Sequence, residues 1–183
     1  MSFDKNACIK EIQDTVDSLT IFETFANTAF LDAQDLGLHG FKRQSRLADT
    51  NYGNIRKYLQ SEIRDIFGVK ILPKTAGTSF SYKGGIEGFL EAYSEELWCV
   101  YTTLHTHANR LVSPFLMRHL AKPLYEQAEK IKREYVETCR ELERWELVKE
   151  HGTPLHDLYR VQNTAETVHD ETESLENDTG YDF

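Results

Sequence analysis

The apolar residues of this chain recur at alternating steps of four and three residues, and they do so over four long segments. Side chains with this spacing share one face of an α-helix, whereas a half-buried strand needs strict alternation, which is nearly absent here. The first stripe consists of Ile12, Val16, Leu19, Glu23, Ala26, Phe30 and Ala33. The chain is therefore predicted to be all-α, with the carboxylate of Glu23 set into the inner face of its first helix.

Three further stripes complete the pattern of a four-helix bundle. The second contains Phe41, Ser45, Ala48, Tyr52, Ile55, Leu59, Ile63 and Ile66. The third contains Ile86, Leu90, Tyr93, Leu97, Val100, Leu104, His107 and Leu111. The fourth contains Leu116, Leu120, Leu124, Gln127, Ile131, Tyr135, Thr138, Leu142 and Trp145. Together they predict helices at about residues 5–36, 39–67, 85–111 and 114–150.

The connections between these segments predict the topology. Residues 36–40 form a short link, so the first two helices should pack as an antiparallel hairpin. The segment 68–85 is too long for such a turn and predicts a crossover along the bundle. Ser113 followed by Pro114 is typical of an N-cap and the first helical position, so we expect the fourth helix to begin there. Pro123 lies inside that helix and predicts a kink.

Charge separates the body of the chain from its C-terminal end. The net charge is −9, yet residues 162–183 hold seven acids and neither Lys nor Arg, so residues 1–161 carry only −2. A nearly neutral body argues against a nucleic-acid groove. We expect residues 1–161 to form one domain and 162–183 to be an acidic, mobile tail. Residues 155–168 could add a short fifth helix.

Hydropathy, the first residues and the cysteine count predict the cellular compartment. No run of 18 apolar residues occurs, so no membrane span is expected. The first residues lack the apolar core of a secretory signal. Three cysteines are too few for a disulfide framework and favour a reducing, cytoplasmic location.

Three stretches of the sequence resemble the ferritin family. They are ETFANTAFL at 23–31, GLHGF at 37–41 and LYEQAEKIK at 124–132, and the resemblance extends over about residues 8–168. It implies a ferritin-like bundle with a long crossover between its second and third helices. It also implies a subunit of a hollow cage that oxidises and stores iron.

The resemblance also implies metal ligands. Carried over by position, the ligand of the first helix is Glu23, that of the third is Glu96 and that of the fourth is Gln127. The second helix of a ferritin supplies a Glu-x-x-His pair, and those positions are Tyr52 and Ile55 here, neither of which replaces a carboxylate or an imidazole. Two carboxylates and an amide carry too little charge for two divalent iron ions.

Alternatives to these ligands stay open. Glu91 and Glu95 are alternates for Glu96, although such an acidic cluster is more often a solvated helix face. A rearranged site could use Asp32 or Asp49. His105 and His107 point about 200° apart on one helix and cannot chelate together, so we expect His105 to be exposed and His107 to be a core residue or to form interhelical hydrogen bonds.

Two functions follow from the resemblance. The first is a subunit of an iron-storage or mineralising assembly with weak or absent ferroxidase activity, which self-associates or co-assembles with a homologous, catalytically complete subunit. The alternative is a non-enzymatic helical assembly protein that has lost iron chemistry, since the two helix-B ligands are missing. Neither involves nucleic acid or a membrane.

Overall fold

The structure, a computed structural model, describes residues 3–74, 80–82 and 84–151, and this part of the chain folds into four long helices. They are α1 (Lys5–Asp35), α2 (His39–Phe67), α3 (Gly85–Phe115) and α4 (Arg118–His151). No strand occurs among these residues. The predicted all-α four-helix bundle is thus confirmed. The predicted fifth helix at 155–168 and the acidic tail at 162–183 lie outside the described residues.

The helices pair as two antiparallel hairpins, α1 with α2 and α3 with α4, and the hairpins meet through α1–α3 and α2–α4 contacts. Near the start of α1, Cys8 Sγ lies 3.1 Å from Met117 Sδ, just beyond the end of α3. Further along α1, the ring of Phe25 lies 5.7 Å from that of Tyr93, in the first third of α3. The two helices α1 and α3 are therefore antiparallel.

The connection between α2 and α3 runs along the bundle, as predicted. The ring of Phe41 in the first turn of α2 lies 6.3 Å from that of Phe89 near the start of α3, so both helices begin at the same end. The connecting segment must then return over the length of α2. Gln13 Nε2 donates to the carbonyl of Leu72 at 2.9 Å, which fastens the segment to α1.

The predicted stripes form the core. Ile12, Leu59, Leu104 and Leu124 are fully buried, one in each helix. Exceptions are Leu116, which is 73% exposed although it opens the fourth stripe, and Ile66, which is 44% exposed although it extends the second stripe. Ile66 lies in the last turn of α2, where the bundle ends. In the part of the chain that the structure describes, no helix has the length and the hydropathy that crossing a bilayer requires.

The boundary between α3 and α4 differs from the prediction. The helix α3 continues through Pro114 to Phe115, and α4 begins only at Arg118. A proline so near the end of a helix removes a single backbone hydrogen bond, so it does not stop the helix. The chain reverses instead at Leu116, which adopts a positive φ of 53°, and Met117 N donates back to the Leu111 carbonyl at 3.4 Å. The predicted start at residue 114, with Ser113 as N-cap, was wrong.

The helix α4 contains Pro123 without ending there. Because proline has no N–H, the carbonyl four residues earlier, that of His119, loses its helical donor. The hydroxyl of Tyr58 on α2 donates to this carbonyl at 3.3 Å. A side chain of the neighbouring helix thus replaces the missing backbone bond. The predicted kink at Pro123 stays a prediction.

Candidate functional site

The carboxylate of Glu23 meets a cation of the protein itself. Arg56 on α2 donates from Nε to Glu23 Oε2 at 2.7 Å and from Nη2 to Oε1 at 3.1 Å. Arg56 Nη1 donates further to Gln60 Oε1 at 3.0 Å, which fixes the guanidinium. Both side chains of the ion pair are about four-fifths buried. A paired, bidentate guanidinium is the arrangement in which a carboxylate tolerates such burial.

This ion pair decides how the residues fit an iron ion. A ferroxidase carboxylate offers its oxygen lone pairs to metal, whereas each oxygen of Glu23 already uses one of its two acceptor sites for Arg56, which also neutralises the charge of the carboxylate. A divalent cation beside the same carboxylate would also be repelled by the guanidinium. The residues around Glu23, as arranged, do not fit an iron ion, and we derive no iron chemistry through them.

The other implied positions are distributed over three helices with different exposure. Tyr52 on α2 is fully buried, and Ile55 is 9% exposed. Gln127 on α4 is buried as well. Glu96 on α3 is exposed. The structure therefore places Gln127 and Tyr52 in the interior, Glu23 at the α1–α2 interface and Glu96 on the surface.

The alternates do not assemble into a ligand set either. Glu91 and Glu95 are exposed like Glu96. Asp49 is half-buried, and burial together with the nearby charge of Glu23 raises its pKa. Within residues 3–74, 80–82 and 84–151, no group of three or more His, Cys, Asp or Glu side chains is placed to hold a metal ion.

A polar cluster that the sequence did not predict lies in the interior between α2, α3 and α4. We call it the central polar cluster, and its members are Ser45, Tyr52, Tyr93, Gln127 and Glu134. Ser45 Oγ and Tyr93 Oη are hydrogen-bonded at 3.2 Å. Burial and the charge of Glu134 raise the pKa of both tyrosines well above the usual range. The cluster therefore holds neutral phenols beside an acid.

Glu134 is the titratable group of this cluster. Its Oε2 is buried and has no hydrogen-bond partner in the described structure. Burial raises the pKa of Glu134 to about 8, with a further increase from Glu137 and an opposing effect of Lys130. At neutral pH the carboxyl group is mostly protonated. The cluster can thus store and release a proton near pH 8, and in its protonated form it carries no charge for a cation.

Two residues of these sites, Glu134 and Arg56, were not predicted, and the sequence pattern indicates them to different degrees. Glu134 follows Gln127 by seven residues, so the two lie on one helix face, and this spacing could have revealed it. Arg56 gives no such signal, because a basic residue beside the α2 stripe looks like an ordinary solvated position. Its pairing with Glu23 depends on the register of α1 against α2.

No protein-family model matches the sequence, and neither a curated protein nor a solved structure matches it.

Proposed function

We propose that this protein is a ferritin-like subunit that contributes to the shell of an iron-storage assembly and does not oxidise iron at its own centre. The observation that carries the proposal is the bidentate pair of Arg56 and Glu23, which occupies both oxygens of the implied first ligand. The full-length crossover between α2 and α3 supports a bundle of ferritin-like topology. Tyr52 and Ile55 stand at the two positions of the second helix where a ferritin has iron ligands, so this helix supplies no ligand there.

Such a subunit needs iron oxidation from elsewhere. We infer that it self-associates, or co-assembles with a homologous subunit that has a complete ferroxidase centre. Its helices are long enough for a shell, since 31 residues in α1 span about 46 Å at 1.5 Å per residue.

A second candidate is a helical assembly protein with no link to iron. It is favoured by the solvent-facing side of α2, which carries positive charge. The residues concerned are the exposed Arg43 and Arg46 and the half-buried Lys42. A mineralising surface needs carboxylates to attract Fe(II), and this basic stretch would repel it. Under this candidate the bundle is structural only.

The first experiment measures particle mass and iron together. The purified full chain is loaded with Fe(II) without oxygen, exposed to air, and analysed by size-exclusion chromatography with light scattering and in-line iron detection. A large particle that retains many iron atoms per chain supports the storage proposal. A small oligomer that retains no iron, alone and after co-expression with a ferroxidase-competent ferritin subunit, overturns it in favour of the second candidate.

A variant pair tests the role of Glu23. Replacing Glu23 with Ala leaves the largely buried Arg56 without its carboxylate partner, so we expect a loss of about 1–3 kcal/mol in the free energy of unfolding. We expect iron uptake by the folded variant to equal that of the unmodified protein. The matched control is Glu96→Ala, which should change neither quantity because Glu96 is exposed. A selective loss of iron uptake in Glu23→Ala would show that Glu23 binds iron after all.

A further inference from the structure

Ser18, His107 and Glu11 form a hydrogen-bonded chain between α1 and α3. Ser18 Oγ lies 2.9 Å from His107 Nε2, and His107 Nδ1 lies 3.1 Å from Glu11 Oε1. The side chains of His107 and Glu11 are 8% and 14% exposed. His107 is thus buried and hydrogen-bonded between two helices, as the sequence predicted. The linear arrangement of Ser18, His107 and Glu11 was not predicted.

The carboxylate fixes the roles of the two imidazole nitrogens. An ionised carboxylate only accepts hydrogen bonds, so in the neutral imidazole Nδ1 carries the hydrogen and donates to Glu11. The other nitrogen, Nε2, then has a free lone pair directed at the hydroxyl of Ser18. This is the arrangement in which an imidazole removes the proton of a serine and a carboxylate keeps the imidazole oriented.

We propose that Ser18 is an activated nucleophile that accepts the acyl group of small activated esters, with His107 as general base and Glu11 as the residue that positions His107. Ser18 Oγ attacks the ester carbonyl, a new C–O bond forms, and the hydroxyl proton passes to His107 Nε2. The original ester C–O bond then breaks, and the departing alkoxide takes that proton and leaves as an alcohol. Water hydrolyses the acyl-serine by the same route and restores Ser18.

The surroundings of Ser18 limit the size of the reagent that can reach it and the rate at which it is acylated. Ser18 is half-buried, so a small reagent can reach it. A surface depression of about 730 Å³ is lined by Lys10, Glu11, Asp14 and Arg110, and it extends along α1 to one turn before Ser18. The backbone N–H groups around Ser18 are engaged in helix α1 and are not free to stabilise the tetrahedral oxyanion, so both acylation and hydrolysis of the acyl-serine should be slow.

The test is site-resolved labelling of the full chain with a small alkyl fluorophosphonate, which forms a stable bond with nucleophilic serines as the P–F bond breaks and fluoride leaves. Peptide mapping by mass spectrometry compares Ser18 with Ser113, which lines the depression itself and is more exposed than Ser18. We expect Ser18 to react at least about 100-fold faster than Ser113, the size of effect that general-base catalysis supplies. Equal or slower labelling of Ser18 overturns the proposal.

Two variants separate activation from stability. His107→Gln retains hydrogen-bonding capacity but not basicity, and it should reduce Ser18 labelling by about 100-fold. Glu11→Gln should reduce it less, because it only loosens the orientation of His107. Thermal unfolding of each variant confirms that it is folded, and labelling of Ser113 should be unchanged. If His107→Gln fails to fold, the comparison of Ser18 with Ser113 in the unmodified protein still decides the question.

Discussion

Gly53 on α2 lies directly opposite the carboxylate of Glu23 on α1. A Cβ atom built at position 53 would stand 2.9 Å from Glu23 Oε1, and beyond its own helix it meets only Glu23 within 4 Å among the described residues. The glycine thus provides the space in which Glu23 receives both N–H groups of Arg56. A glycine inside a helix costs about 1 kcal/mol relative to alanine, and the ion pair gives a structural reason for keeping it.

We therefore expect Gly53→Ala to be destabilising despite its better helix propensity. The new methyl group would displace Glu23 Oε1 and loosen one or both hydrogen bonds to Arg56, each worth about 1.5–3 kcal/mol when charged groups take part. The net loss should be about 1 kcal/mol in the free energy of unfolding, measured by urea denaturation.

The effect of Gly53→Ala on the free energy of unfolding should reverse once Glu23 is removed. In a Glu23→Ala background, the methyl group at position 53 meets no displaced carboxylate, and the helix propensity of alanine should raise stability by about 1 kcal/mol. A double-mutant cycle of the two positions measures this reversal. If Gly53→Ala changes stability equally in both backgrounds, Gly53 does not serve the ion pair.

The two buried tyrosines of the central polar cluster should respond differently to loss of their hydroxyl groups. Tyr52 Oη is buried without a well-formed hydrogen bond among the described residues, although Gln127 is close enough to interact with it, so Tyr52→Phe should leave stability unchanged or raise it by up to about 1 kcal/mol. Tyr93→Phe is the matched control. It breaks the bond to Ser45 and should lower stability by about 1 kcal/mol. Equal effects of both substitutions on the urea midpoint would contradict this assignment.

The helices and their order could be predicted because the apolar spacing is a local property of the sequence. The bounds of α2 agree with the predicted 39–67, since Gly37 and Gly68 mark its ends with positive φ angles. The boundary near Ser113 and Pro114 could not be predicted, because this pair fits the first turn of one helix and also the last turn of another. The positive φ of Leu116 leaves no sequence signal, since residues other than glycine rarely adopt it.

The candidate sites could be predicted only in part, because each depends on register between helices. The stripe correctly identified Glu23 and His107 as polar positions on inward faces. Their partners, Arg56 for Glu23 and Ser18 for His107, lie 33 and 89 residues away along the chain. Helical periodicity states which face a side chain occupies but not the height at which two helices meet, so these pairings required the folded structure.

The hydroxyl of Tyr58 should matter because of the proline in α4. Tyr58→Phe removes the donor to the His119 carbonyl and should lower the free energy of unfolding by about 1 kcal/mol. In a Pro123→Ala background the restored backbone N–H satisfies this carbonyl, so the cost of Tyr58→Phe should largely disappear. Urea denaturation of the four proteins of this cycle measures the coupling. An unchanged cost in the alanine background would show that Tyr58 does not replace the missing helix bond.

Glu134 should make the stability of the bundle fall as the pH rises. Its pKa is about 8 in the folded protein and close to the ordinary 4.5 in the unfolded chain. Between these values the folded state binds more protons than the unfolded state, so the stabilisation that this group contributes is fully present below about pH 4.5 and is lost as the pH rises through 8. The loss attributable to this group is at most about 5 kcal/mol.

The variant Glu134→Gln isolates this effect, because glutamine resembles the protonated acid at every pH. We expect its free energy of unfolding to be close to that of the unmodified protein at pH 5 and higher by a few kcal/mol at pH 9. The control Glu96→Gln makes the same substitution at an exposed position and should leave the pH profile nearly unchanged. Urea denaturation of the three proteins from pH 5 to 9 measures the difference. If Glu134→Gln keeps the profile of the unmodified protein, Glu134 ionises normally and the central polar cluster stores no proton.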